Sequence, residues 1–541
     1  MKKTFYTFLL LLFYSLTLPA QFHKNADEKE NINNFNKLGL AFSNIINFYV
    51  DEVNGEKIIE NAIQGMLDKL DPHSSYTNAE ETRRLNEPLE ANFDGIGIQF
   101  NMLNDTLYII QVISGGPSEK VGLLAGDRII MVDDSVVAGV KMYSTDITKL
   151  IRGKKGTEVI IKVKRGNSTE SNDLLTFKII RDRIPVYSID ATYMADSKTG
   201  YIRLSRFSAS SMDEFYKSFM KLKSQGMVNL ILDLQENGGG YLNVAYALAD
   251  QFLEKGKLIV YTQGHKFNRS DAVSTDNGLF KQGKLVVIVN EYSASASEIV
   301  AGAIQDWDRG VIVGRRTFGK GLVQRSIDLP DSSMIRLTVS RYYTPSGRNI
   351  QKPYENGNME AYIQDFHERY QKGEFMSADS IHFPDSLKFS TLRSQRTVYG
   401  GGGIMPDIFV PIDSTRNTDY HFRLVRNGLL SRMAMTYLDK NRLDLNNRYP
   451  HFEAYNENFT ISEDILQQLV SMAEEDKIEF VEEQFNQSKE FISLQLKALI
   501  ARDLFEMSEY FEVINQKNDS YRKALQIINE EGQYEKILNG G

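Results

Sequence analysis

The chain contains no cysteine among its 541 residues, which excludes disulfides, thiol catalysis, cysteine-held metals and lipidation at the N-terminal leader. Beyond that leader, no apolar run is long enough to cross a bilayer. Basic charge is in short supply: 63 Lys and Arg stand against 71 Asp and Glu, a net charge of −8. The basic stripe that would point to nucleic acid is missing. There is no His-Glu-x-x-His and no phosphate-binding lysine loop, so neither a metal nor a nucleotide cofactor is expected. Gly-x-Ser-x-Gly is absent as well, which argues against an α/β-hydrolase-type serine esterase or amidase.

What remains is the composition of an ordinary globular protein, 42% hydrophobic and 25% charged, long enough for several domains. Lys2-Lys3, the apolar stretch Phe5–Leu18 and Pro19-Ala20-Gln21 read as a secretory signal over residues 1–20, cut near Ala20. The expected location is therefore periplasmic or otherwise extracytoplasmic, with membrane association if the signal stays uncleaved.

The chain is organised around Lys284–Gln324. Leu285–Val289 is a short β-branched run, the pattern of a fully buried strand. Ser293-Ala294-Ser295-Ala296-Ser297 follows, and then Ile299, Val300, Ala303 and Ile304 at helical spacing. A serine at such a strand-to-helix turn meets free N–H groups and the positive end of the helix dipole. The same amides can stabilise an oxyanion. A second strand, Val311–Gly314, leads into Thr317-Phe318-Gly319-Lys320-Gly321, and a third, Leu322–Leu329, carries Gln324. Serine is a weak nucleophile that needs a base. Lysine serves as one only when neutral, its pKa drawn down from about 10.4 by burial. Arginine does not release its proton and cannot substitute. The residues alone leave Ser293, Ser295 and Ser297 open as the nucleophile, or Ser295 as a mere helix cap.

Both motifs resemble the carboxyl-terminal processing proteases, also called tail-specific proteases, which use a serine–lysine pair. The resemblance implies Ser295 as nucleophile, Lys320 as general base and Gln324 as the residue that orients the lysine. Asn229–Leu234 reads as a buried strand ending in Gln235-Glu236-Asn237-Gly238-Gly239-Gly240. This resembles the family's glycine motif, with Gln235 in place of the usual arginine. Gly238 or Gly239, with Ala296, would form the oxyanion hole. Tyr343–Arg348 and Gly400–Asp407 are also family-like, and the resemblance covers roughly 36–412.

Residues 92–182 resemble a PDZ domain. Gly95-Ile96-Gly97-Ile98 fits its carboxylate-binding loop, where backbone amides form a nest for a terminal carboxylate. Ile147, Leu150 and Ile151 would line the groove beside the peptide strand. Residues 36–90 read as helical after a polar stretch, Asn25–Asn34. Residues 355–395 read as a polar insertion with a helix at Glu360–Gln371. Residues 415–541 read as a charged helical appendage for homo-oligomerisation or adaptor binding.

The expected architecture is a multi-domain α/β chain: an α/β protease core over 184–412 with the PDZ domain inserted before it and helical regions at either end. The expected function is an exported serine endopeptidase that takes protein C-terminal tails in its PDZ groove and cleaves near them. The alternative is a catalytically inactive PDZ scaffold that recruits partners, against which the intact Ser295, Lys320 and Gln324 count.

Overall fold

Strands that are apolar on both faces need cover on both faces. In the computed structural model, which describes residues 18–165, 174–413 and 415–540, they form one six-stranded sheet. Its order is Ile189–Met194, Thr199–Leu204, Asn229–Asp233, Leu285–Val289, Val311–Gly314 and Ile408–Phe409. The first pair is antiparallel and every other pair parallel, with Leu230 opposite Leu285 and Val286 opposite Val311. All five residues of Leu285–Val289 are buried.

Helices Ser211–Ser224, Leu242–Asp250 and Ala296–Asp306 cover one face, with Phe215, Phe219, Leu248, Val300 and Ile304 in a common core. The helix Ala296–Asp306 is buried on every side, not only along its apolar stripe. Its C-terminal end is tied by an ion pair of Arg348 with Asp306 at 2.6 Å, both side chains wholly buried.

The opposite face is covered by the end of the chain. Tyr521, Ala524, Ile527 and Ile528 from helix Asp519–Asn529, and Tyr534 from Gln533–Leu538, pack on Tyr201, Ile231, Val286 and Val313. Tyr534 Oη accepts from Leu285 N at 3.0 Å. Lys284 Nζ donates to Ile528 O at 2.8 Å. The expected appendage is therefore two things. Asp419–Leu504 is a helical bundle with its own cores, and the last helices are a layer of the protease sheet. Amphipathic periodicity shows that a helix has a buried face but not what that face meets, so the sequence could not separate the two.

The PDZ-like body is a sheet in the order Ile98–Leu103, Thr106–Val112, Arg128–Val132, Glu158–Lys164, Leu175–Ile180, with helices Pro117–Lys120 and Ser144–Ile151. Ile98–Leu103 is an edge strand of this sheet. The helical bundle meets the body at Met435, which packs with Leu103 and Ile110, and through an Arg128–Asp439 ion pair at 2.5 Å.

A separate unit comprises residues 18–79, 326–337 and 355–359. It holds helices Leu18–Phe48 and Gly55–Leu67, the second capped by Asn54 Oδ1 accepting from Lys57 N at 3.0 Å. Strand Ser75–Thr77 pairs with Met334–Arg336. The first helix runs straight through the polar Asn25–Asn34, because no proline or glycine interrupts it between Pro19 and Gly39. The leader expected over residues 1–20 lies outside the described residues apart from its last three. No described helix is long and apolar enough to cross a membrane.

Candidate active site

Ser295 sits where the strand Leu285–Val289 turns into helix Ala296–Asp306, with φ 56° and ψ −110°. A serine at positive φ is held there against its own preference, and such strain collects at functional turns. The three serines of the motif are not alike. Ser293 and Ser297 are wholly buried, and their hydroxyls donate to Leu234 O at 2.7 Å and Asn237 O at 2.8 Å. Ser295 is half-buried. Packing thus assigns Ser293 and Ser297 to the wall of the turn, a distinction that spacing alone could not supply.

The lysine loop is bound to this turn by one carboxylate. Glu298 is wholly buried, three residues beyond Ser295. Its Oε2 accepts from Ser295 N at 2.8 Å and from Lys320 N at 2.9 Å. Its Oε1 accepts from Gly319 N at 2.7 Å and from Thr317 Oγ1 at 2.6 Å. Burial holds this carboxyl above its ordinary value, although the four hydrogen bonds draw it down. Tyr342 makes a second link: its hydroxyl donates to Lys320 O at 2.7 Å and lies 3.2 Å from Ser295 O. Burial holds that phenol well above the ordinary tyrosine range, so it stays protonated and able to donate.

The sequence reading gave neither Glu298 nor Tyr342 a role. The signal for Glu298 was present in Ser295-x-x-Glu298, the spacing of a capping box. The carboxylate does reach back to the Ser295 amide, and its second task across the chain is visible only in three dimensions. Lys320 Nζ donates to Gln324 Oε1 at 2.8 Å, the contact expected of that pair.

The glycine loop closes the third side. Asn237 is buried, donating to Leu204 O at 2.8 Å and accepting from Gly239 N at 2.9 Å. Gly239 has φ 104°, and a Cβ there would stand 2.9 Å from Ser295 Cβ, 3.0 Å from Ala294 O and 3.1 Å from Ala296 N. Only glycine lets the loop come that close. The Gly239 amide is therefore spent inside the loop, whereas those of Gly238 and Ala296 have no partner among the described residues. Gln235, the departure from the family motif, accepts from Asn518 Nδ2 at 3.2 Å. The guanidinium beside Asp233 comes from Arg203 on the neighbouring strand, at 2.8 Å.

In the PDZ-like body the Gly95–Ile98 loop leads into the edge strand. Gly97 is at φ 77°, with Gly97 O and Ile96 O held by Ile113 N and Ser118 N. The expected groove lining needs correction. Ile147 and Ile151 are 0% and 3% exposed, one helical turn apart on the inward face of Ser144–Ile151. They belong to the core of the body. Leu150, on the flank of that helix, is half-exposed, as are Ile98 and Phe100 on the edge strand, all three packed against the same core.

Family models match the chain in four stretches: peptidase family S41 over 198–357, a PDZ domain over 95–176, the activating protease CtpB N-terminal domain over 14–82, and a family of unknown function over 420–506. A carboxy-terminal-processing protease of Bartonella bacilliformis is 36% identical over 357 residues, 65% of this chain and 80% of that protein. The chain belongs to the carboxy-terminal-processing proteases. As a member of that family it is a serine-type endopeptidase with a PDZ domain. A probable CtpA-like serine protease of Staphylococcus epidermidis is 32% identical, over 62% of this chain and 67% of that protein. The structure of a photosystem II D1 C-terminal processing protease is 28% identical and covers 58% of this chain and 89% of that one, with a TM-score of 0.32. The peptidase match ends at residue 357, before helix Met359–Gln371.

Proposed function

We propose that this carboxy-terminal-processing protease cleaves exported proteins near their C-termini by acyl transfer, with Ser295 as nucleophile and Lys320 as base. Neutral Lys320 takes the Ser295 proton as Oγ attacks the scissile carbonyl, and returns it to the leaving amine. The acyl-enzyme is then hydrolysed by water. Gln324 holds the lysine side chain through its Oε1. The amides of Gly238 and Ala296 face the developing oxyanion, and Gly239 sets their spacing. The observation that carries this reading is the Glu298 carboxylate, one oxygen of which accepts from both the Ser295 and the Lys320 amide. No role as a helix cap alone requires that second bond.

In the same reading, residues 92–182 receive the substrate tail. The peptide adds as a strand to the open edge of Ile98–Leu103, its carboxylate against the amides of Gly95–Ile98 and its side chains against Leu150, Ile98 and Phe100. A leader over residues 1–20 delivers the enzyme outside the cytoplasm.

The test compares one peptide substrate as free acid and as C-terminal amide, with Ser295→Ala alongside. A charge-assisted hydrogen bond contributes about 1.5–3 kcal/mol, so the amide should bind roughly ten- to a hundred-fold more weakly. Ser295→Ala should bind both peptides as the wild type does and cleave neither. Equal handling of acid and amide would refute tail recognition by the loop, and cleavage by Ser295→Ala would refute the nucleophile.

A further inference from the structure

Residues 355–395 read as a polar insertion in the sequence, yet they carry one of the most deeply buried arginines among the described residues. Arg369, on helix Met359–Gln371, is 3% exposed. Its Nη2 donates to Arg316 O at 2.9 Å and its Nη1 to Thr317 O at 3.3 Å. These are the two carbonyls immediately before Phe318-Gly319-Lys320. Its Nε donates to Glu374 Oε2 at 3.2 Å, and the same oxygen accepts from Arg316 Nη2 at 2.6 Å. One carboxylate thus balances two guanidiniums and fixes the fork of Arg369 on the loop backbone.

A second anchor lies one helical turn away. Lys352 Nζ donates to Asp365 Oδ2 at 2.8 Å and to Tyr362 O at 3.1 Å, both on the same helix. The Lys352 amide in turn donates to Gly319 O at 2.9 Å. Its ammonium stands 3.9 Å from the centre of the Tyr362 ring and 4.6 Å from that of Phe318.

The lysine loop is therefore gripped from two sides. Glu298 and Tyr342 hold the amides and the carbonyl that face Ser295. The inserted helix holds the carbonyls of Arg316, Thr317 and, through Lys352, Gly319 on the outer side. A loop carrying a general base must hold it to a fraction of an ångström, and a displacement of about 1 Å costs on the order of a hundredfold in rate.

We infer that the inserted segment 360–375 is a brace for the lysine loop, and that Arg369 is a positioning residue for Lys320. The inference rests on the reading of Ser295 and Lys320 as the reacting pair. Arginine is needed because two adjacent carbonyls and a carboxylate require a planar fork with several donors.

The experiment measures kcat and KM on a free-acid peptide for full-length Arg369→Ala, Arg369→Lys, Glu374→Gln and Lys320→Ala, with circular dichroism melting of each. Arg369→Ala should lower kcat about a hundredfold with KM within about twofold of the wild type, because the PDZ-like body is untouched. Arg369→Lys should recover part of that loss, since an ammonium still reaches one carbonyl. Glu374→Gln, which keeps the shape of the side chain, should lower kcat by a smaller factor and decides the matter if Arg369→Ala does not fold. A merely structural Arg369 would lower the melting temperature and the active fraction of Arg369→Ala, with Arg369→Lys no better in kcat per active site; that result overturns the brace. Wild-type kcat in both Arg369→Ala and Glu374→Gln, beside an inactive Lys320→Ala, overturns it too while leaving the reacting pair intact. An active Lys320→Ala removes the pair and the brace together.

Discussion

Glu298→Gln is the substitution to which the site is most sensitive for its size. It changes one atom and removes one charge. In the native site Oε1 and Oε2 accept from two donors each. Whichever oxygen becomes the amide NH₂ then points a donor at two donors. Rotation of the Thr317 hydroxyl, which already accepts from Ile404 N at 2.6 Å, can offer its second lone pair to that NH₂, but the Gly319 amide on the same oxygen, like the Ser295 and Lys320 amides on the other, can only donate. Each buried group left unsatisfied costs about 1–3 kcal/mol, so the change costs about 2–6 kcal/mol. If the turn and the loop stay together, that cost appears as lost stability. If they part, the cost moves to the rate, where about 1.4 kcal/mol is a factor of ten, and kcat falls by at least about thirtyfold. The assay is kcat on a free-acid peptide together with the melting transition of the same preparation. Kinetics and melting should between them account for the whole cost, with KM near the wild-type value. A Glu298→Gln enzyme that melts and turns over like the wild type would refute the role given to this carboxylate.

Three further outcomes follow from the packing. Gly239→Ala places a Cβ 2.9 Å from Ser295 Cβ at φ 104°, so kcat measured on the same peptide should fall about a hundredfold with little change in KM; full activity would show that the loop does not abut the serine. Truncation after residue 506 strips the helices from one sheet face, where Ile527 and Ile528 alone contribute about 3–6 kcal/mol, so the product should be insoluble or unfolded by circular dichroism, whereas a dispensable appendage would leave it folded. Glu512 is pushed up to about 7 by burial and by Glu509 and Glu453, with Lys221 opposing. A carboxyl raised in the folded state contributes stability that is complete below its unfolded pKa of about 4.3 and is lost as pH rises through 7. Glu512→Gln should therefore raise the melting temperature at about pH 8 and leave it unchanged near pH 4, and an equal shift at both would refute the assignment.

Much of this was legible in the residues. Leu285–Val289 could only be a strand covered on both sides, and the serine turn and the lysine loop follow the C-terminal ends of that strand and of its parallel neighbour Val311–Gly314. What could not be read was partnership. Glu298 satisfies a capping pattern and so looks fully explained by its own helix. Arg369 lies in a stretch whose composition is that of a solvated surface. Ile527 and Ile528 show an apolar face but not the sheet beneath it. Ile147 and Ile151 share helical spacing with Leu150, and a difference of about one hundred degrees around the helix separates the buried core from the half-exposed flank. In each case the sequence marked a side chain as buried or exposed, and the long-range neighbour decided what it does.

The pairing of Ser295 with Lys320 is tested most directly by mass-spectrometric mapping of a fluorophosphonate adduct on the full-length protein. The adduct should fall on Ser295 alone, with Ser293 and Ser297 unmodified. In Lys320→Arg it should form at least about a hundredfold more slowly, because the guanidinium keeps its proton. An adduct on another serine, or undiminished labelling of Ser295 in Lys320→Arg, would contradict the pair.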